Sequence, residues 1–154
     1  MRAAITSHPV NASALLDEVA RAGNGAALLF VGTVRDVSEG RPVTGIEYAA
    51  YVPMAERELR AIVHEAGRTY GTDDIAVEHR IGRLELGEAS VAIAVAHPHR
   101  RAAYEASRFI IEELKRRVPI WKREAYADGT REWVDPTATP APVGAASHGP
   151  GGSP

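Results

Sequence analysis

The chain has 154 residues, 45% of them apolar, and a formal net charge of −2. That is enough apolar chain for one domain with a real core, and too little charge for a polycation, so any affinity for anions must be local. It contains no cysteine, which excludes disulfides, thiolate metal sites and a cysteine nucleophile; if sulfur is handled here, it arrives on another molecule. The N-terminus, MRAAITSHPV, lacks the apolar core of a secretory signal, and no run reaches the length of a membrane span. The expectation is a soluble, cytoplasmic protein with no membrane contact.

In chain order, residues 2–6 read as a short strand. Asn11 or Ser13 caps a helix reaching Arg21, with Leu15, Leu16 and Val19 on its apolar side and Gly23 to end it. Ala26–Val34 is continuously apolar and predicts a strand buried on both faces, paired as a long hairpin with a second strand at Val43–Tyr51. Arg35 stands where the first of these emerges. Gly32, inside it, marks a bulge or a close backbone approach.

Pro53 opens the next helix. Leu59, Ile62, Val63, Ala66 and Tyr70 form its buried stripe, and Gly71 ends it. Asp73–Arg80 alternates Ile75, Val77 and His79 with Ala76, Glu78 and Arg80, the mark of a half-buried strand. In Ala89–His97 the bulky Val91, Ile93 and Val95 alternate with alanines, leaving one face small enough for a helix to press close. A long helix runs from His99 or Arg100 to Arg117. Val118 precedes a proline and is pushed towards extended geometry, so the helix stops there. Ile120–Tyr126 and Arg131–Val134 are strands around an Ala127-Asp128-Gly129 turn. The domain is expected to span 1–135, with a Pro/Gly/Ala-rich, uncharged and disordered tail at 136–154. Hairpins beside helices give an α+β class.

The chemistry concentrates between His97 and Glu124, which hold eight of the eighteen basic residues and both lysines, Lys115 and Lys122. The other sixteen basic residues are arginines. Arginine keeps its proton near neutral pH, whereas an amine can act as a base or nucleophile. With Trp121 packed inward, the neighbouring Lys122 would face a surface or cleft; Lys115, in the helix's last turn, is favoured there by the helix dipole. Arg35, His99 and Arg100 are candidates to bind an anion, the latter two at a helix N-terminus. Arg100 and Lys115 fall within about 60° around the helix but roughly 22 Å apart along it. One small-molecule site therefore cannot use both from one copy, which predicts a homodimer whose sites are shared. His97, His99 and His79 lack the carboxylates and spacing of a metal site, so no metal is expected, and His79 reads as a hydrogen-bonded core residue.

Four segments, GTVRD (32–36), HRIG (79–82), HRRAAYEA (99–106) and LKRRVPIWKRE (114–124), resemble the large, catalytic subunit of molybdopterin synthase. They occur in the family's order, and the resemblance covers roughly 25–134. It implies an α/β-hammerhead fold with an additional small antiparallel sheet. It also implies a sulfurtransferase of molybdenum cofactor biosynthesis, needing no cofactor. Cyclic pyranopterin monophosphate would receive two sulfurs as a dithiolene. Each would come from the C-terminal Gly-Gly thiocarboxylate of a small ubiquitin-like sulfur-carrier subunit, within a heterotetramer built on a homodimer. By motif, Lys115 and Lys122 match the catalytic lysines and Arg35, His99 and Arg100 the substrate-binding residues. Where the family often has a further basic residue after the segment matching Trp133-Val134, this chain has Asp135-Pro136-Thr137, and Arg131 is the substitute at hand. The rival is a non-enzymatic anion- or RNA-binding module using the basic helix; weak global charge and few clustered aromatics argue against nucleic acid.

Overall fold

The computed structural model describes residues 1–134; the expected tail at 136–154 and the last residue of the expected domain lie outside the described residues. The order of elements is β1 (Arg2–Thr6), α1 (Ala12–Val19), β2 (Ala26–Thr33), β3 (Val37–Ser38), β4 (Arg41–Ala50), α2 (Val52–Tyr70), β5 (Ile75–Arg80), β6 (Gly82–Leu84), β7 (Ala89–His97), α3 (Arg100–Arg117), β8 (Ile120–Tyr126) and β9 (Arg131–Val134). The fold is α+β, with two sheets.

The first sheet runs β1-β5-β7-β2, with β1 parallel to β5 and the other pairs antiparallel. Its two faces differ as the alternation in β7 requires. Val77, Val91, Ile93 and Val95 face α2 and α3, meeting Leu59, Ile62, Val63, Ala103, Ala106 and Ile110 in the main core. Ala76, Ala92, Ala94 and Ala96 face the other way, and α1 lays Leu15 and Val19 against them. Each large aliphatic side chain buried this way contributes about 1.5–3 kcal/mol.

Helix ends follow their local chemistry. Asn11 Oδ1 accepts from the Ala14 N–H at 3.1 Å to start α1. The helix stops at Val19, short of Arg21, because Ala20 turns extended and the Arg21 guanidinium donates to the Glu18 and Ala20 carbonyls at 3.0 Å. Gly71 closes α2 in the left-handed region (φ 73°), donating to the Gly67 carbonyl at 2.9 Å. Val118 closes α3 in extended geometry. The last turn of α3 is tied to α2 by Arg117, which lies 2.7 Å from Glu65 and 3.3 Å from both Glu58 and Glu113.

The second sheet runs β3-β4-β8-β9, with β6 also paired to β4. This corrects the expected long hairpin: β2 pairs with β7, while β4 pairs with β8 and with the short β3 and β6. Nor is β2 buried on both faces. It is the edge strand of its sheet, and Phe30 and Val31 are partly exposed. β5, in contrast, is an interior strand and more deeply buried than its alternation implied. Gly32 is a close approach, since a Cβ there would meet Val91 Cγ1 at 2.8 Å, and the β2–β7 register shifts beside it.

The alanine face of β7 is a packing requirement. Ala94→Leu, which forces a large side chain beneath α1, is expected to lower stability by about 1–3 kcal/mol in urea unfolding. Lys115→Ala, on an exposed face of α3, should leave the unfolding midpoint nearly unchanged.

Candidate active site

A cavity of about 390 Å³ opens where the first sheet, the second sheet and the end of α3 meet. The end of β2 contributes Phe30, Gly32 and Thr33, followed by Arg35; β5 contributes His79, and β7 Ser90 and Val91. From the second sheet come Val43, Ile46 and Tyr48 of β4 and Ile120, Lys122 and Glu124 of β8. The last turns of α3 supply Ile111, Leu114 and Lys115. Arg35 is held by its neighbours: the Val34 N–H donates to the Glu88 carbonyl at 3.0 Å, and the Asp36 carbonyl accepts from the Val43 N–H at 2.7 Å.

Alternation in β8 decides which side chains reach the cavity. Ile120, Lys122 and Glu124 face it, and Trp121 and Arg123 face away. Lys122 thus occupies a cleft as expected, but Trp121 is not packed inward. It is 48% exposed on the outer face of the second sheet, beside Ala49, Trp133 and Val134. The inner side of that sheet is already filled by Val43, Ile46, Leu84 and Tyr126, leaving no room for an indole.

Lys122 Nζ donates to Glu124 Oε1 at 2.9 Å, and Tyr126 Oη donates to Glu124 Oε2 at 2.8 Å. Burial pushes the Glu124 carboxyl up, but hydrogen bonds from Lys122, Tyr126 and Ser38 outweigh it and hold the group below its ordinary value. Tyr126 is driven up to about 12 by burial and by its bond to Glu124. This chain fixes one donor of the Lys122 ammonium and leaves two for a ligand. Sequence reasoning did not single out Glu124, although its place two residues beyond Lys122 in a strand puts both on one face.

Lys115 reaches the same cavity from the helix. Of the six basic residues of α3, Arg101, Arg108, Arg116 and Arg117 each pair with a glutamate. Among the described residues, Arg100 and Lys115 are the two left without a carboxylate within 4.0 Å. Arg35 likewise has none. With Lys122 and Glu124, the cavity wall carries three cations against one anion.

His99 and Arg100 do not line this cavity. They sit exposed at the far end of α3, where His99 caps the helix with no side-chain hydrogen bond. His97 Nδ1 accepts from the His99 N–H at 2.8 Å. Among the described residues, no group of three His, Cys, Asp or Glu is arranged to hold a metal.

Comparison with known proteins bears directly on this arrangement. The family model described as MoaE protein matches residues 5–117. The molybdopterin synthase catalytic subunit of Bacillus subtilis is 43% identical over 130 residues, covering 84% of this chain and 82% of that protein. The chain belongs to the MoaE family.

Members of the MoaE family are molybdopterin synthase catalytic subunits, sulfur-transferring enzymes of molybdenum cofactor biosynthesis, and this chain is one of them. The crystal structure of molybdopterin synthase from Staphylococcus aureus superposes with a TM-score of 0.80 at 35% identity, covering 85% of this chain and 95% of that one. A more distant structure has the same fold, with a TM-score of 0.66 at 22% identity. It is a protein–protein complex of subunits 1 and 2 of molybdopterin-converting factor from Helicobacter pylori. The match of the MoaE model ends at Arg117, so it includes Lys115 and leaves the β8 wall, with Lys122, outside. No helix among the described residues is long and apolar enough to cross a membrane.

The Glu124 arrangement has a measurable pH signature. A carboxyl depressed on folding stabilises the native state above its unfolded value, near 4.5, and loses that contribution as pH falls through the native value. Wild type should therefore exceed Glu124→Gln in urea midpoint at pH 7, and the gap should close as the pH is taken below 4.5.

Proposed function

We propose that this cavity is where sulfur passes from the C-terminal thiocarboxylate of a small ubiquitin-like carrier to cyclic pyranopterin monophosphate, building the molybdopterin dithiolene. The observation that carries the reading is the gathering of Arg35, Lys115 and Lys122 around one cavity in a chain with only two lysines. Three cations facing one engaged carboxylate suit a phosphorylated substrate and an anionic thiocarboxylate together. Among the described residues there is no cysteine, so the sulfur enters on the partner. The Helicobacter pylori complex, in which two subunits of molybdopterin-converting factor associate, supports a small partner of this kind.

Each transfer breaks the carbon–sulfur bond of a thiocarboxylate and a carbon–oxygen bond of the pterin side chain, and forms a carbon–sulfur bond at that same side-chain carbon. The displaced oxygen is released as water or, where it bears the phosphate, as a phosphate ester oxygen. The acyl carbon passes to water and leaves as a carboxylate, either directly or by way of an amide on the Lys115 amine that water then hydrolyses to free the lysine. Lys115 serves the transfer as proton carrier or as that acyl acceptor. Lys122, held by Glu124, orients the thiocarboxylate or the intermediate, and Arg35 neutralises substrate phosphate. His99 and Arg100 complete the anion site from a second copy of the chain, within a homodimer carrying one small subunit at each end. Their position at the opposite end of α3 from Lys115 supports this sharing, as does the lack, among the described residues, of a carboxylate partner for Arg100.

The assay mixes purified protein with thiocarboxylated carrier and cyclic pyranopterin monophosphate and follows dithiolene formation. Lys115→Arg and Lys122→Arg keep the charge and lose the amine, and each should cost roughly 10²-fold or more in rate. A purely charge-binding module would be little affected. Failure of the wild type to form product with a competent carrier would sink the synthase reading.

Sharing of sites has its own test. In a twofold dimer, an Arg100→Ala chain paired with a Lys115→Ala chain leaves one intact site and one doubly altered site. Two separately inactive variants, re-associated in equal amounts, should recover about a quarter of wild-type activity. If both residues acted within one copy, no activity would return.

A further inference from the structure

His79 lines the cavity but has no part in the scheme above. It lies near the end of β5, opposite Val91, with its buried ring edge-on to Tyr48 at 5.1 Å between centroids and 80° between planes. Its Nδ1 is 2.9 Å from the Arg80 carbonyl oxygen. A carbonyl only accepts, so Nδ1 carries the proton and Nε2 of the neutral ring is a bare lone pair. Burial lowers the pKa of this histidine to about 4, the bond to the carbonyl opposing it only in part, so the ring is neutral near pH 7.

Nε2 has no hydrogen-bond partner among the described residues. It is also not sealed from the surface: among the described residues, the buried side-chain polar atom left unpartnered is Arg80 Nε. The lone pair therefore opens on the cavity. The rest of the charged wall offers little of that kind. The Arg35 guanidinium and the two ammonium groups are donors without acceptor capacity. The Glu124 oxygens are engaged by Lys122 and Tyr126. Ser90 directs its hydroxyl proton at the Gly32 carbonyl at 3.2 Å.

We propose that His79 is a positioning residue of this pocket, its Nε2 accepting a hydrogen bond from an N–H or O–H of the heterocyclic substrate and setting that ring against Lys115 and Lys122. In naming a pterin as the heterocycle, the inference rests on the synthase reading. A pterin suits the arrangement because its fused pyrimidine carries amino and lactam N–H donors, which cations cannot satisfy.

The competing role is structural: His79 would matter only through its bond to the Arg80 carbonyl. Two substitutions separate these roles. In His79→Asn the amide nitrogen takes the place of Nδ1 and keeps the bond to the carbonyl, while the acceptor in the cavity is lost. In His79→Gln the longer side chain puts an amide oxygen near the place of Nε2 and gives up the Nδ1 donor. Binding of cyclic pyranopterin monophosphate to the full chain, without carrier, is measured by calorimetry for wild type and both variants, beside their thermal midpoints.

His79→Asn is expected to keep its midpoint and bind roughly threefold to tenfold more weakly, with His79→Gln recovering most of that affinity. Equal affinity in wild type and His79→Asn would overturn the proposal. So would the reverse pattern, in which His79→Asn matches wild type and His79→Gln loses midpoint and affinity together. Binding is read without turnover. A wild type that binds the pterin but forms no dithiolene with a competent carrier would therefore sink the synthase reading and leave the histidine to be judged on its own numbers.

Discussion

The geometry of the cavity depends on the break at Val118-Pro119. Val118 takes extended geometry and donates to the Leu114 carbonyl at 3.0 Å, and the Ile120 N–H then donates to the Val118 carbonyl at 2.8 Å. The chain thus passes from the last turn of α3 into β8 without an intervening loop. Had the helix continued, Lys115 and Lys122 would be stacked about 10 Å apart on one helix face. The break instead puts one amine on the helix wall and the other on the sheet wall of a shared space. Arg117, clamped to glutamates of α2, fixes where the helix ends, and pairing of Tyr48 with Lys122 and of Ile46 with Glu124 fixes the strand that follows.

Electrostatics is arranged by subtraction. Four of the six basic residues on α3 are matched by glutamates, most of them one turn away, where such pairs add little stability. Their larger effect is to silence those charges for a ligand. What remains unmatched among the described residues is Arg100 at one end and Lys115 at the other. A protein of net charge −2 thereby presents a cationic cavity without becoming a general binder of anions.

Much of this was readable from residue types. Pro53, Gly71 and the Val118-Pro119 pair mark helix ends because each restricts its own backbone, a local effect. The alanine and valine alternation of β7 likewise announced two unlike faces, and both are packed as expected. Partner choice between strands was not readable. β2 and β4 are consecutive long strands with a hairpin-like connection, yet β7 and β8 compete for them through contacts made far along the chain. Trp121 misled for a related reason: its size argued for burial, but the space inside belongs to Val43 and Ile46. At the site, Arg35, Lys115 and Lys122 were legible from type and motif. Glu124 was available from strand alternation, while the place of His79 in the wall needed the three-dimensional packing of Tyr48 and β7 against it.

Trp121 and Lys122 are adjacent on β8 and face opposite ways, and Trp133 lies on the neighbouring strand. These are the chain's only two tryptophans. Intrinsic fluorescence excited at the indole band therefore originates entirely from the back of the wall that carries the amine. Any occupant that shifts that strand would alter emission without a label being attached.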